Sequence, residues 1–283
     1  MSISNSSMLV EMNISVWTAA VIDRRVTDQV TIQAHATHDA GKFRKNLMAG
    51  TNLRKSIADY AALCRTWHNG RTLPWSDKGV RLLPMSMFFD YKKEVDARKA
   101  YFDTQVDKFL QQYPTLVETT KNTLGDLYDP ADYPSVEELR SKFAFRMVFS
   151  PVPEAGDFRL DVNSDHLAEL REQYESAYDT RVKEAMQTAW DKLHSTLTHM
   201  SEKLTEPEGE QTKQFRTTFL TNVSEMCDLL THLNITKNPD LERARKQLSD
   251  AVWRVDVDDI KQDIGARAEL KSKVDAVLDG FDW

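Results

Sequence analysis

The sequence predicts a mainly α fold: an elongated antiparallel pair of long, coiled-coil-like helices, interrupted by a small β-hairpin and flanked by helical modules. Three observations predict it. Glycine and proline are sparse, nine each in 283 residues, while charged residues make up 29% and apolar ones 41%; that balance is globular and leans helical. Two stretches, 87–113 and 163–205, repeat apolar residues at spacings of three and four. Between them, 143–162 switches to alternation.

The elements follow in order. Residues 9–16, LVEMNISV, fit a strand or a frayed helix, and 23–38 is ambiguous. Residues 39–50, DAGKFRKNLMAG, are expected to form a short helix between two glycines. From Asn52 to His68, a stripe of Leu53, Ile57, Tyr60, Ala61 and Cys64 marks an amphipathic helix. Asn69-Gly70 should stop it, since both residues tolerate the left-handed conformation.

Arg71 to Pro84, RTLPWSDKGVRLLP, reads as a corner. Pro74 pushes Leu73 towards an extended backbone. Ser76-Asp77-Lys78-Gly79 fits a type I turn. Ser86 is placed to cap the next helix. That helix carries Phe88, Tyr91, Val95, Phe102, Val106, Phe109 and Tyr113 on one face, and Pro114 should kink or restart it before Thr115–Tyr128. Asp129 to Pro134 is loop, and Ser135 with Glu138 is a capping-box pair.

The hairpin has Phe143, Phe145, Met147 and Phe149 on one strand and Phe158, Leu160 and Val162 on the other. The second long helix, capped by Asn163 or Ser164, carries Leu167, Leu170, Tyr174 and Ala177. Val182, Met186, Trp190, Leu193, Leu197, Met200 and Leu204 continue the seam. A seam of that length wants an antiparallel partner, for which Met87–Tyr128 is the natural candidate; it also favours self-association into a homo-oligomer. After the break at 205–210, helices are expected over 211–233, 240–255 and 260–278. The organisation is a basic N-terminal module (1–83), the long helical pair (84–205) and an acidic C-terminal module (206–283).

Charge is uneven. The net charge of −7 divides into +6 over residues 1–100, from 15 basic and 9 acidic groups, and −13 over the rest, from 22 and 35. A basic first third can touch nucleic acid while the remainder repels it. No apolar run is long enough for a membrane span, and no apolar signal core follows the N-terminus. Cys64 and Cys227 lie far apart and are expected to be reduced.

Catalytic signals are few. His35, His38 and Asp39 form a small cluster that needs further ligands for zinc. Cys64 and His68 share a helix face, whereas His232, five residues after Cys227, does not. Asp256, Asp258, Asp259 and Asp263 could gather a divalent ion, but acids at a helix start serve the dipole and the caps. There is no phosphate-cradling glycine loop and no nucleophile elbow. No cofactor is expected.

Four strings carry a resemblance: GKFRKNLMAG, TLPWSDKGVRLLP, LGDLYDPADYP and KFAFRMVFSPVPEAGDFRLDV. Over roughly residues 9–162 they resemble, in order, a family of uncharacterised proteins encoded by tailed bacteriophages. The resemblance implies a phage protein acting in the host bacterial cytoplasm or in a virion, and brings no catalytic residues with it. The strings fall at turns and at the hairpin, where binding residues usually sit on a rigid frame.

Three functions are therefore expected, in order of preference. The first is a non-enzymatic interaction protein that binds a host or phage macromolecule, a protein first, through loops at the ends of a helical scaffold. Trp75, Asp77, Lys78, Arg81, Pro153, Glu154 and Asp157 would make the contact. The second is a single-stranded nucleic-acid-binding protein of phage replication or recombination. It would use Lys42, Arg44, Lys45, Arg54, Lys55, Arg65, Trp67 and Arg71, because single strands need cations interleaved with stacking platforms. The third is a metal-dependent enzyme.

Overall fold

The structure, a computed structural model, describes residues 3–77, 79–153, 164–205 and 218–283, with the backbone alone at 164–168, 170 and 171. The fold is mainly α, with a small antiparallel sheet. No described helix is long and apolar enough to cross a membrane. The chain forms two compact units, each assembled from non-consecutive segments: Met1–Glu11, Asn69–Phe89 and Val148–Trp283 in the first, Met12–His68 and Asp90–Met147 in the second.

Strand β1 (Ser7–Ser15) resolves the ambiguity of the N-terminal stretch. It pairs antiparallel with β5 (Val80–Pro84), with Leu9 opposite Leu82 and Glu11 opposite Val80. β5 pairs in turn with the two-residue β4 (Leu73–Pro74). The sheet order is β4-β5-β1-β6, where β6 is Ala144–Pro151. The first strand of the expected hairpin is thus present, and its neighbour is β1. The returning strand, 158–162, lies outside the described residues.

The core of the first unit is built on α5 (Ser164–Leu204), which packs against α9 (Ile264–Leu278), α6 (Thr218–Leu233) and β4. Its seam is buried from Ala185 onward, through Met186, Leu193, Leu197, Met200 and Leu204. The expected pairing with Met87–Tyr128 is not needed to cover it; most of that region belongs to the second unit. Helix α7 (Pro239–Val252) packs on α6 and α9. The last predicted helix is in fact two, α8 (Val257–Gln262) and α9. Asp263 divides them because its carboxylate accepts the Gly265 amide at 2.7 Å and starts a new helix.

In the second unit, α1 (Arg24–Gln33) starts at Asp23, whose carboxylate accepts the Val26 amide at 3.0 Å. Residues 39–50 do not form the expected helix. Arg44–Asn46 is strand β3, paired antiparallel with β2 (Ala20–Ile22). Helix α2 (Leu53–Arg71) continues two residues past the predicted stop at Asn69. Helix α3 (Phe88–Leu124) continues through Pro114, so the helix does not restart there.

The aromatic side chains of α3 organise this core. Phe109 lies 6.4 Å from Trp17 and 5.8 Å from Phe143, and Phe102 lies 5.7 Å from Phe145. The capping box at Ser135 and Glu138 opens α4 (Val136–Ser141) as expected. Ser86 does not cap α3; its hydroxyl pairs with His232 Nδ1 at 2.9 Å.

Candidate functional site

The Pro74–Pro84 corner is held from within. The Trp75 amide donates to Val80 O at 3.1 Å, and the Gly79 amide to Ser76 O at 3.4 Å, closing the turn. Gly79 has φ +86°, a conformation that costs glycine little. Trp75 faces inward at 5% exposure, with the Tyr178 ring edge-on at 5.5 Å and the Arg181 guanidinium 5.9 Å away. Arg81 is tied to the same corner, donating to Thr72 Oγ1 at 2.6 Å, Thr72 O at 2.9 Å and Asn69 O at 3.3 Å. Asp77 and Pro153 are exposed, and the Pro153 carbonyl accepts from Tyr174 Oη at 3.1 Å. Lys78, Glu154 and Asp157 lie outside the described residues. The corner therefore turns Asp77 outward and keeps Trp75 for packing.

The basic cluster separates into two kinds of residue. Lys42, Arg44, Lys55, Arg65 and Arg71 are exposed, although Lys55 pairs with Asp59 at 2.6 Å and Arg65 donates to Ile14 O at 2.7 Å. Lys45, Arg54 and Trp67 serve the fold. Lys45 is 6% exposed and bonds Asp132 at 2.6 Å, Leu127 O at 2.9 Å and Asp23 at 3.3 Å. Burial works against its ammonium, but the two carboxylates more than compensate, and its pKa is raised. Arg54 donates to Trp17 O at 2.7 Å. Trp67 stacks on Tyr91 at 4.9 Å beneath the Arg98 guanidinium at 4.6 Å.

Several of the metal candidates are engaged locally. His38 Nδ1 sits 2.8 Å from Asp28, and His35 is exposed with φ 52°. His68 is buried, with Nδ1 2.6 Å from Tyr91 Oη. Burial pushes both thiols up, Cys227 to about 11, which opposes thiolate chemistry. Asp256 accepts the Asp258 amide at 2.8 Å, and Asp258 pairs with Lys261 at 2.8 Å. Among the described residues, no group of three or more His, Cys, Asp or Glu is placed to hold a metal ion.

Two features escaped the sequence reading. The first is Trp253, 71% exposed at the C-terminus of α7. Arg254 follows it in the left-handed region at φ 59°, its guanidinium 5.6 Å from the indole centroid. The sequence holds one signal for it: Leu241, Ala244, Leu248 and Val252 form the buried stripe of α7, and Trp253 falls off that stripe. The other five tryptophans are buried or half-buried.

The second is an open groove of about 770 Å³ in the second unit, between residues 16–21 with Leu47 on one side and 131–142 on the other. Its first wall includes Ala20 and Val21 of β2, and its second Tyr133, Pro134, Glu138 and Lys142. Neither segment announces a site alone. The groove exists because Lys45 and Tyr133 draw them together: the Tyr133 hydroxyl donates to Leu47 O at 3.1 Å.

The acidic, aromatic C-terminal tail folds back onto its own unit. Trp283 lies 5.5 Å from Trp190 and 4.9 Å from His194, and its Nε1 donates to Leu278 O at 2.7 Å. No protein-family model, curated protein or solved structure matches the chain.

Proposed function

We propose that this chain is a non-enzymatic, phage-encoded interaction protein that holds a host or phage protein through loops at the ends of a helical scaffold. The observation that carries the proposal is Trp253, exposed at a helix-end corner. Tryptophan and arginine are the residues that most often anchor protein interfaces. A left-handed arginine is strained, and strained backbone is retained where it positions a functional group. Asp77, on the Ser76–Gly79 turn, is a second outward group of the same kind.

Because five tryptophans are shielded, acrylamide-quenchable fluorescence reports chiefly on Trp253. Partner protein captured from infected host cells should lower that quenching, and Trp253→Phe should remove the change. Trp253→Ala should also release the partner. If quenching is unaltered and Trp253→Ala retains the partner in full, the corner is not the contact and the proposal fails.

The nucleic-acid alternative has weaker support, because Lys45, Arg54 and Trp67 are committed to packing.

A further inference from the structure

The end of α7 gives the Trp253 corner a charge preference. A helix C-terminus is the negative pole of the backbone dipoles, and a lysine, arginine or histidine in the last turn offsets it. The last turn of α7 has none. It holds Asp250 instead, exposed and with no cation at ion-pair distance among the described residues. Helix α9 also has an acid in its last turn, Asp275, but Lys271 pairs with it. Asp250 thus adds negative charge to a negative helix end, which costs the helix stability. Departures from local rules of this kind gather at functional sites.

From Asp250 to Asp263 the chain has five acids, Asp250, Asp256, Asp258, Asp259 and Asp263, against two cations, Arg254 and Lys261, a net of −3. Not all of that charge is open. Asp256 and Asp263 cap α8 and α9, accepting the Asp258 and Gly265 amides at 2.8 and 2.7 Å. Asp258 pairs with Lys261 at 2.8 Å. Asp250 and Asp259 remain, both exposed.

The indole adds a further attraction. The face of a tryptophan ring carries negative potential and draws cations. Arg254 lies 5.6 Å from the Trp253 ring centroid, and with 71% of Trp253 exposed the ring has surface left for another cation. A helix pole, an unpaired carboxylate and an aromatic face therefore meet within Asp250–Arg254, and all three favour positive charge.

We propose that this corner takes a basic segment of the partner protein, with an arginine or lysine side chain on the open part of the Trp253 ring beside Asp250 and further cations drawn by Asp259. This rests on Trp253 being a contact, and it adds the chemistry of what Trp253 contacts. The test uses the full chain at physiological ionic strength, where screening removes long-range attraction. Two labelled, end-blocked hexapeptides are compared, one alternating Leu and Arg, the other Leu and Glu. Fluorescence polarisation should register the Arg peptide and not the Glu peptide, and the bound Arg peptide should protect Trp253 from acrylamide. Trp253→Ala should weaken binding about tenfold, the scale of a lost anchor. Asp250→Lys should weaken it comparably while raising the urea midpoint of the free protein, because lysine suits the helix end. Asp179→Lys, at an exposed position of α5, changes the net charge equally and should leave binding unchanged.

The proposal is overturned if the Arg peptide does not bind at millimolar concentration, if the Glu peptide binds as well, or if Asp179→Lys weakens binding as much as Asp250→Lys. It is overturned too if Asp250→Lys binds as wild type or fails to raise the midpoint. Partner from infected host cells that is released by Trp253→Ala but retained by Asp250→Lys with Asp259→Lys would leave the contact standing and remove its preference for a basic segment. Partner retained by Trp253→Ala would remove both.

Discussion

The Lys45 ammonium lies 2.6 Å from the Asp132 carboxylate, inside the second unit, with 6% of one side chain and 17% of the other exposed. This contact joins β3 to the turn that forms one wall of the groove. Asp23, which also caps α1, supplies the second carboxylate at 3.3 Å. A charge removed from such a cluster leaves its partners buried and uncompensated. Lys45→Met should therefore destabilise the protein by about 3 kcal/mol in urea unfolding. Lys45→Met combined with Asp132→Leu should cost less than the two changes added together.

The pH dependence follows with opposite signs at the two ends. The Val26 amide, with help from Lys45, holds the Asp23 carboxyl below its ordinary 3.8. Its contribution is present above that value and is lost as pH falls through the lowered one. The Lys45 pKa is raised above its ordinary 10.5, so its contribution is full below that value and fades as pH rises past it. Burial pushes Tyr60 and Tyr113 up to about 12 from 10.0. Each favours the folded state below pH 10 and ceases to do so as pH passes about 12. Lys45→Met should flatten the acid loss of stability, and tyrosinate absorbance should rise together with alkaline unfolding.

Trp75 tests whether the corner packs or presents. With Tyr178 and Arg181 against its ring, Trp75→Ala should cost about 3 kcal/mol through the cavity it leaves. Asp77→Ala, at an exposed position, should change stability by less than about 0.5 kcal/mol. Chemical denaturation of the two variants checks both values. Equal and small effects would mean that the indole is not part of the core.

The sequence was most legible where burial follows a local period. The stripe of α3 through Tyr91, Val95, Phe102, Val106 and Phe109 is buried as its spacing requires, and so is the α5 seam from Met186 to Leu204. It was least legible where distant residues decide. GKFRKN shows no alternation, and Lys45 is an inward strand residue because acceptors distant in sequence, Asp23, Leu127 O and Asp132, receive its ammonium. Trp75 is buried by Tyr178 and Arg181, which lie on α5, so the corner's own composition could not show which way the indole turns. The groove is likewise a product of two segments, neither of which is unusual by itself. Among the contact residues expected at the corner, this left Asp77 legible as an exposed turn residue and Trp75 not.

Pro114 offers a test that runs towards greater stability. It is exposed inside α3, has no amide to give the carbonyl of Leu110, and crowds the preceding turn. Tyr113 on the buried side donates to Pro134 O at 3.1 Å. Pro114→Ala should restore the missing bond. Part of that gain is offset, because alanine frees the unfolded chain more than proline does. The net expectation is a stabilisation of roughly 2 kcal/mol, read as a higher unfolding midpoint with an unchanged denaturant slope.

Single-stranded nucleic acid separates the proposed function from its main alternative. Of the eight residues that would carry such binding, Lys45, Arg54 and Trp67 are committed to hydrogen bonds, ion pairs or stacking within the second unit. A tryptophan already stacked on Tyr91 is not a platform for a base without giving up that contact. Lys42, Arg44 and Lys55 remain at the surface of the same unit. So few phosphate contacts give a weak, shallow salt dependence, since the slope scales with the phosphates neutralised. A labelled oligothymidine should therefore not be retained by the full chain at about 50 mM salt. Retention that falls steeply with added salt, and that drops further in Lys42→Glu with Arg44→Glu, would replace the protein-binding proposal with a nucleic-acid one.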